Sequence, residues 1–258
     1  MIAPAATPPS DRLADGCPVR RLGAVASTND TALALAREGE ASGTWVVAER
    51  QTAGRGTHGR DWASPPGNLY ASRIERPVVA TREAALASFA ACLAVAETFD
   101  ALAPSARVAL KWPNDALLNG RKAAGVLLRA EGRGEALACL IVGIGVNLAV
   151  APTATRPGKL PATTVIREGG RPVPPSEALE ILSPALTRWL GRLRAEGFPA
   201  LRDAWLARAF GLGRQVALGP EPEAMRGRFD GIDAEGRLLV TVRGRCHRLT
   251  SADLVFPD

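Results

Sequence analysis

The sequence predicts an α+β protein in which helices pack on a mixed or antiparallel sheet, followed by a small all-β unit. Two stretches indicate the helices. Residues 82–102 are rich in alanine and free of proline, and leucines recur at steps of three and four from Leu179 to Leu193. The short apolar segments between these stretches are typical of strands. From Gly211 onward short strands alternate with tight turns, which favours a small barrel.

The N-terminal part of the chain is predicted to be a tail, followed by a strand and a helix. Residues 1–19 contain several prolines and no apolar period, so we expect a flexible tail with no N-terminal DNA-binding domain and no secretory signal. A short strand begins at Val19. Ser27 to Asn29 are favoured N-cap types, and Gly39 ends the helix that follows them.

The remaining elements follow in chain order. Five strands are predicted, at 44–50, after Asn68, and at Val108–Trp112, Ala123–Ala130 and Ala136–Val146. We expect a loop at 149–175 and a short helix at about 198–209. Trp45, Tyr70, Trp189 and Trp205 are expected in the core. The chain therefore divides into the tail 1–19, a large domain 20–210 and a C-terminal domain 211–258.

Composition excludes several classes of protein. The chain has 258 residues, 47% apolar and 22% charged, which excludes a disordered, collagen-like or coiled-coil chain. The nearly apolar stretch Leu137–Ala151 is shorter than the roughly 18 residues that a membrane span needs. Four cysteines without CxxC spacing fit a reducing cytoplasm. We expect a cytoplasmic protein without membrane contact or a tightly bound structural metal.

The net charge of +6 by itself suggests nucleic acid as a partner. Residues 211–258, however, hold seven arginines and seven acidic residues, so the excess lies in residues 1–210. A nucleic-acid-binding barrel would be basic and rich in aromatic residues, which disfavours this alternative. Only three basic residues are lysines, and two of them, Lys111 and Lys122, fall in one polar segment. A primary ammonium can be specifically required there.

A glycine-rich loop follows the strand at 44–50. Gly54, Gly56 and Gly59 match a dinucleotide-binding fingerprint, but prolines and a strand follow where that fingerprint requires a helix. Arg55, His58 and Arg60 are interleaved with the glycines. The pattern predicts a mobile loop whose arginines and free backbone N–H groups bind a phosphate or another anion. A plain solvated turn is the alternative.

The segment LKWPNDALLNGRKAAGVL places two lysines beside amide and carboxylate groups. Lys111 ends a strand, and Asn114 and Asp115 follow the break at Pro113. A carboxylate beside a phosphate site is a common way to hold Mg²⁺. Lys122 could neutralise a carboxylate or an α-phosphate. The alternative is a simple hairpin turn at Asn119–Gly120 with Lys122 exposed.

A third segment, VGIGVN, ends an apolar strand at Asn147. Gly143 and Gly145 would let a flat ligand lie against the strand backbone. Close packing against a helix explains the same glycines.

Six motifs in order resemble the catalytic domain of biotin protein ligases, also called biotin–acetyl-CoA-carboxylase ligases. The motifs are STN (27–29), AERQTAGRGTHGRDW (48–62), PGNLY (66–70), KWPND (111–115), GRKAAGVL (120–127) and GIGVN (143–147). The resemblance implies a class II synthetase-like domain at 20–210 followed by an SH3-like barrel. The missing winged helix resembles the monofunctional type.

The resemblance also implies the reaction and its partners. Biotin and ATP form biotinyl-5′-AMP with Mg²⁺, and the biotinyl group then passes to a lysine of an acidic biotin carrier domain. The enzyme would be a monomer or a homodimer. A lipoate or octanoate ligase or transferase of the same fold is the nearest alternative, but such proteins lack the KWPND and GRGxxGR pair.

Roles follow by position within these motifs. The residues that resemble biotin contacts are Ser27, Thr28, Asn29, Gln51, Arg55, Gly56, Thr57, Lys122 and Gly125. Those that resemble contacts to ATP or the adenylate are Arg55, Arg60, Trp62, Lys111, Asn114, Asp115 and Asn147. Lys122, Arg60 and Lys111 resemble the catalytic residues, Trp62 the adenine-packing residue, and Asp115 a Mg²⁺ ligand.

One position departs from the family pattern. Many relatives have a second arginine after Gly56, where this chain has Thr57. Because threonine cannot supply that charge, we expect weaker retention of biotinyl-AMP unless His58 or another arginine substitutes.

Overall fold

A computed structural model describes residues 11–76, 84–133, 136–152, 160–219, 224–252 and 254–256. The strands are β1 (Asp11–Arg12), β2 (Pro18–Val25), β3 (Trp45–Gln51), β4 (Leu69–Glu75), β5 (Val108–Lys111), β6 (Asp115–Leu118), β7 (Arg121–Arg133), β8 (Ala136–Val146), β9 (Gln215–Leu218), β10 (Met225–Ile232), β11 (Leu238–Val242), β12 (Arg245–Leu249) and β13 (Leu254–Val255). The helices are α1 (Thr28–Arg37), α2 (Ala87–Leu102), α3 (Pro175–Glu196) and α4 (Phe198–Leu206).

The large sheet is mixed, as the sequence predicts. Its eight strands lie in the order β1-β2-β3-β4-β8-β7-β6-β5. The pair β2 and β3 is parallel, because α1 crosses between them, and the other neighbours are antiparallel. The strand β6 was not predicted separately.

Helices cover both faces of this sheet. Successive side chains of β3 point to opposite faces: Val46 packs in a small cluster with α1, and Trp45 and Val47 pack in the main core with α2 and α3. The predicted buried helix is present, with thirteen of its residues buried between Ala87 and Leu102, while residues 82 and 83 lie outside the described part. Among the described residues, no helix is long and apolar enough to cross a membrane.

The expected tail needs a correction at its C-terminal end. Residues 1–10 lie outside the described part, but β1 and the start of β2 form a hairpin in which Asp11 pairs with Val19. Leu13 is buried, and Asp15 accepts a hydrogen bond of 2.6 Å from Ser183 of α3. This segment is held by one buried leucine and by side-chain contacts to a distant helix. Such contacts leave no apolar period in the sequence, so the sequence did not indicate them.

The hairpin turn at Asn119–Gly120 is confirmed, but Lys122 is partly buried and pairs with Asp115 instead of being exposed. Asn119 and Gly120 have positive φ, 49° and 78°, as a tight turn between β6 and β7 requires. The pairing of these strands is irregular, because Ala116 pairs with Ala124 whereas Leu117 pairs with Lys122.

The C-terminal unit is a separate antiparallel sheet in the order β12-β11-β10-β9-β13. A buried hydrogen bond ties it to the large domain, since Trp112 Nε1 donates to the Gly236 carbonyl at 3.0 Å. Gly236 has φ +76°, and a Cβ there would lie 2.8 Å from the Phe89 ring. Glycine is therefore required where this turn packs against α2.

Replacing Trp112 by Phe is expected to lower the free energy of unfolding by about 1 kcal/mol more than replacing Trp205 by Phe. Both indoles are buried, but Trp205 Nε1 has no hydrogen-bond partner among the described residues. The difference between the two variants therefore isolates the bond to Gly236. Urea unfolding of both variants measures it, and equal losses would show that this bond adds no stability.

Candidate active site

A cavity of about 760 Å³ opens at the centre of the large sheet. The N-terminus of α1, the glycine-rich loop, the β6–β7 hairpin and the end of β8 surround it, with Leu160, Ala162 and Ala252 on the wall. All fifteen residues predicted for the site line this cavity: Ser27, Thr28, Asn29, Gln51, Arg55, Gly56, Thr57, Arg60, Trp62, Lys111, Asn114, Asp115, Lys122, Gly125 and Asn147. The structure thus brings them together, and their individual roles stay predictions.

A polar pocket forms where α1 begins. Ser27 caps the helix by accepting from the Asp30 backbone N–H at 3.4 Å. The Thr28 backbone N–H and hydroxyl both donate to Gln51 Oε1, at 2.9 and 3.1 Å. The buried Ser72 hydroxyl lies 2.8 Å from Thr28 Oγ1 and 2.6 Å from Asn29 Oδ1. These contacts hold the pocket side chains in fixed positions before any ligand binds.

Sequence reasoning missed two serines of this network. Ser72 lies in β4, whose buried residues also include Tyr70, Arg73 and Glu75, so the sequence of the strand gave no signal that singled out this serine. Ser64 accepts from Gln51 Nε2 at 2.9 Å and donates to the Trp62 carbonyl at 2.9 Å. Ser64 therefore links the polar pocket to the glycine-rich loop.

The glycine-rich loop is folded back on itself, and the expectation of free backbone N–H groups is wrong at two positions. The Gly56 N–H donates to the Arg60 carbonyl at 2.6 Å, and the Trp62 N–H donates to the Gly54 carbonyl at 2.9 Å. A 3₁₀ turn at Thr57–Gly59 closes the loop. Anion binding here therefore depends more on arginine side chains than on these two amides.

Thr57 orients Arg60 within the loop. The Arg60 guanidinium donates to the Thr57 carbonyl at 3.1 Å and to the Thr57 hydroxyl at 3.0 Å. The residue that departs from the family pattern thus has a structural contact of its own. The His58 side chain lies outside the described part, so its substitution for the missing arginine stays a prediction.

The Trp62 indole packs against two glycines of the sheet. A Cβ on Gly145 would lie 2.7 Å from the indole, and one on Gly125 would lie 3.0 Å from it. The group that lies against the strand at Gly145 is therefore the Trp62 indole, where a flat ligand was expected. Gly143 instead accommodates the Asn29 side chain from α1, which confirms the close-packing alternative at that position.

The charged centre of the cavity is an ion pair. Lys122 Nζ lies 2.5 Å from Asp115 Oδ1 and 5.3 Å from the centre of the Trp62 ring. Lys111 lies opposite Asp115 in the backbone register of β5 and β6, so the two side chains point to the same face of the sheet. Asn114 lies in the turn between β5 and β6 and bonds to β7, because its Nδ2 donates to the Val126 carbonyl at 2.6 Å. Two lysines and one carboxylate therefore share one end of the cavity.

Asn147 supports the part of the wall next to Lys122. It is buried, its backbone N–H donates to Ala123, and its Nδ2 donates to the Thr163 carbonyl at 3.2 Å. The side chain thus braces a loop beside the cavity, and the predicted adenylate contact stays a prediction.

Tyr70 was expected in the core, and it is buried where it also lines the cavity. Burial raises the pKa of Tyr70 to about 12, and the phenol donates to the Pro65 carbonyl at 2.6 Å. The phenol therefore stays neutral throughout the physiological pH range and acts as a donor.

Tyrosinate absorbance is expected to appear with a midpoint near pH 12 instead of 10, because burial disfavours the charged phenolate. Tyr70 is the only tyrosine, so the signal is specific, and Tyr70→Phe should abolish it. The raised pKa contributes stability that is complete below about pH 10 and is lost as the pH rises towards about 12. Ionisation near pH 10 in protein that is still folded would contradict the buried position.

Comparison with known proteins defines the class. The model of the biotin/lipoate A/B protein ligase family matches residues 22–147. A biotin–[acetyl-CoA-carboxylase] ligase of Paracoccus denitrificans is 44% identical over 235 residues, which cover 89% of this chain and 97% of that protein. The chain belongs to the biotin/lipoate A/B protein ligase family.

More distant relatives and solved structures agree. The bifunctional ligase/repressor of Escherichia coli is 32% identical, over 89% of this chain and 71% of that protein. A biotin protein ligase from Aquifex aeolicus, solved in complex with biotin and ATP, superposes with a TM-score of 0.75 at 26% identity and covers 92% of this chain and 97% of that one. The Leishmania major enzyme in complex with biotinyl-5-AMP gives 0.57 at 29% identity, over 90% and 98% of the two chains.

Proposed function

We propose that this chain is a biotin protein ligase that activates biotin with ATP and transfers it to a lysine of a biotin carrier domain. The observation that carries the proposal is a single cavity with a neutral polar pocket at one end and the cluster of Lys111, Asp115 and Lys122 at the other. Its volume of about 760 Å³ suits two joined small molecules. The named relatives and structural neighbours are biotin ligases, which supports biotin over lipoate.

The first step joins biotin to the nucleotide. A carboxylate oxygen of biotin attacks the α-phosphorus of ATP, the bond to the bridging oxygen breaks, and pyrophosphate leaves. Both reactants are anions, so the barrier falls when fixed cations neutralise the charge that gathers between them. Lys122 is assigned to that position, and Lys111 and Arg60 to the phosphates.

The second step consumes the mixed anhydride. The neutral ε-amine of a carrier lysine attacks the acyl carbon, AMP leaves with the bonding electron pair, and the amine proton passes to solvent or the phosphate. The enzyme supplies position and charge neutralisation and forms no covalent bond. The net positive charge of residues 1–210 favours an acidic carrier domain as the acceptor.

The polar pocket suits the ring of biotin. Thr28, Asn29 and Gln51 line the cavity with hydroxyl and amide groups, and the buried Ser72 behind them bonds to Thr28 and Asn29. A ureido group carries both donors and an acceptor, so such groups can pair with it while apolar neighbours surround the rest of the ligand. Ordered side chains reduce the entropy lost on binding.

Mg²⁺ fits this site only together with the nucleotide. The described residues contain no group of three or more histidines, cysteines or acids that could hold a metal. Mg²⁺ commonly binds through one or two carboxylates plus substrate phosphates, and Asp115 on the cavity wall fits that donor set. When bound, the ion would neutralise phosphate charge.

Location and organisation complete the proposal. A cytoplasmic location fits the four free thiols. The catalytic domain runs from Asp11, where β1 begins, to about residue 210, and residues 211–258 form the C-terminal domain, whose five antiparallel strands support an SH3-like barrel. A monomer and a homodimer both fit this arrangement.

Lys122→Ala is expected to reduce biotinyl-AMP formation by at least about 100-fold, because the reacting anions lose their fixed cation. Pyrophosphate release with biotin, ATP and Mg²⁺ measures the first step, and labelling of a carrier domain measures the second. Arg129→Ala is the matched control, since Arg129 is on the same strand and pairs with Asp30 outside the cavity. Wild-type protein that labels no acceptor and uses lipoate instead would refute the proposal.

Thr57→Arg is expected to slow the release of biotinyl-AMP by about tenfold, because a charge-assisted hydrogen bond to the phosphate becomes available. Filter binding of labelled intermediate over time measures the release rate. Thr57→Ser is the control, because it keeps the hydroxyl that holds Arg60. Identical release from all three proteins would refute weak retention at this position.

A further inference from the structure

We propose that Glu168 is a positioning residue. It fixes the backbone on both sides of Lys122 and thereby determines where the Lys122 side chain lies in the cavity. This inference rests on the proposed ligase function and deepens it. Glu168 lies in the loop after residue 160, does not line the cavity, and matches none of the motifs that predicted the site.

Glu168 joins two segments that are far apart in the sequence. One carboxylate oxygen accepts from Asn119 Nδ2 at 2.8 Å, in the β6–β7 turn. The other accepts from the Thr163 hydroxyl at 2.5 Å, in the loop. The carboxylate is thus a bridge between the turn and the loop.

These two segments enclose Lys122. The Lys122 backbone N–H donates to the Pro161 carbonyl at 2.8 Å, and its carbonyl accepts from the Thr163 N–H at 2.9 Å. On its other side Lys122 pairs with Leu117 in β6. The Lys122 backbone is therefore held between the loop and β6, and Glu168 connects the loop to the Asn119–Gly120 turn that precedes Lys122.

The surroundings of Glu168 differ from those of an ordinary buried ion pair. Its side chain is 7% exposed, and its cationic partner Arg121 lies 3.5 Å away with a side chain 53% exposed. By contrast, the buried Glu75 pairs with Arg73 at 2.9 Å and with Arg194 at 2.5 Å. The closest donors of Glu168 are neutral groups, so it serves chiefly as a hydrogen-bond acceptor that holds two segments in register.

The same bridge affects the cavity wall. Leu160 and Ala162, which flank the residue bonded to Lys122, line the cavity. A shift of the loop would move this wall and the lysine together. Small errors in the position of a catalytic group are costly, because the reacting atoms must meet within a narrow range of distance and angle.

The charge state of the bridge is constant near neutral pH. Burial opposes ionisation, but the hydrogen bonds from Thr163 and Asn119 and the charge of Arg121 outweigh it and lower the pKa of Glu168 below its ordinary value. Its stabilising effect is therefore complete above the unfolded-state pKa and is lost only in acid. A positioning role predicts an effect that does not vary between about pH 6 and 9.

Glu168→Gln is the direct test, since it keeps the size of the side chain and replaces one acceptor oxygen by a donor. Single-turnover formation of biotinyl-AMP, normalised to active sites by the burst of pyrophosphate, gives the rate per folded enzyme. We expect this rate to fall about tenfold, with a smaller change in the KM for biotin and no pH dependence. Thr163→Val removes the second end of the bridge without changing volume, and the double variant should lose little more than either single one.

Glu97→Gln is the matched control. Glu97 also accepts from one neutral donor, Trp189 Nε1 at 2.9 Å, and pairs with Arg188, but it lies on α2 away from the cavity. It should cost stability and leave the rate per active site unchanged. A Glu168→Gln enzyme with a normal rate per active site, or with a loss confined to thermal stability, would overturn the inference. Wild-type enzyme that forms no biotinyl-AMP would instead overturn the proposed function.

Discussion

The active site depends on one irregularity in the large sheet. The register at the turn pairs Lys122 with Leu117 and so places the lysine on the face of Asp115. Strict alternation along β7 would then put Gly125, three residues further on, on the opposite face, in the core beneath α2. The extra residue in β7 places Ala123 and Ala124 in succession in that core, which their small side chains allow, and brings Gly125 to the face of Lys122. The position of the Trp62 indole over Gly125 and beside the Lys122 cation follows from this bulge.

The rest of the cavity is a connected set of polar contacts. Hydrogen bonds run from Thr28 through Gln51 and Ser64 to the carbonyl of Trp62, and the indole rests on Gly145. A ligand that contacts Gln51 therefore acts on the glycine-rich loop through side chains that are already bonded. Because partly satisfied buried polar groups are unfavourable, such a network favours one arrangement of the loop over many.

The two domains meet at the same site. The Trp112 indole in the KWPND segment donates to Gly236 of the C-terminal sheet, and Ala252 reaches the cavity wall. The segment that carries Lys111 and Asp115 is thus supported from the C-terminal unit as well as from α2. The small sheet carries no net charge, so its contribution here is packing and hydrogen bonding rather than attraction of anions.

The sequence by itself determined the fold class and the order of the main elements, because periodicity and turn chemistry are local properties of the chain. Through the resemblance of six motifs it also indicated fifteen of the residues that line the cavity. The tertiary structure decided what those residues do to one another. The hairpin turn at Asn119–Gly120 and a position of Lys122 on the cavity wall are compatible, because Lys122 follows the turn and its side chain lies beside Asp115. Ser72 and Glu168 bond to groups more than forty residues away, and the Gly56 N–H is used within its own loop. Such contacts depend on which segments meet in space, and no short-range pattern encodes them.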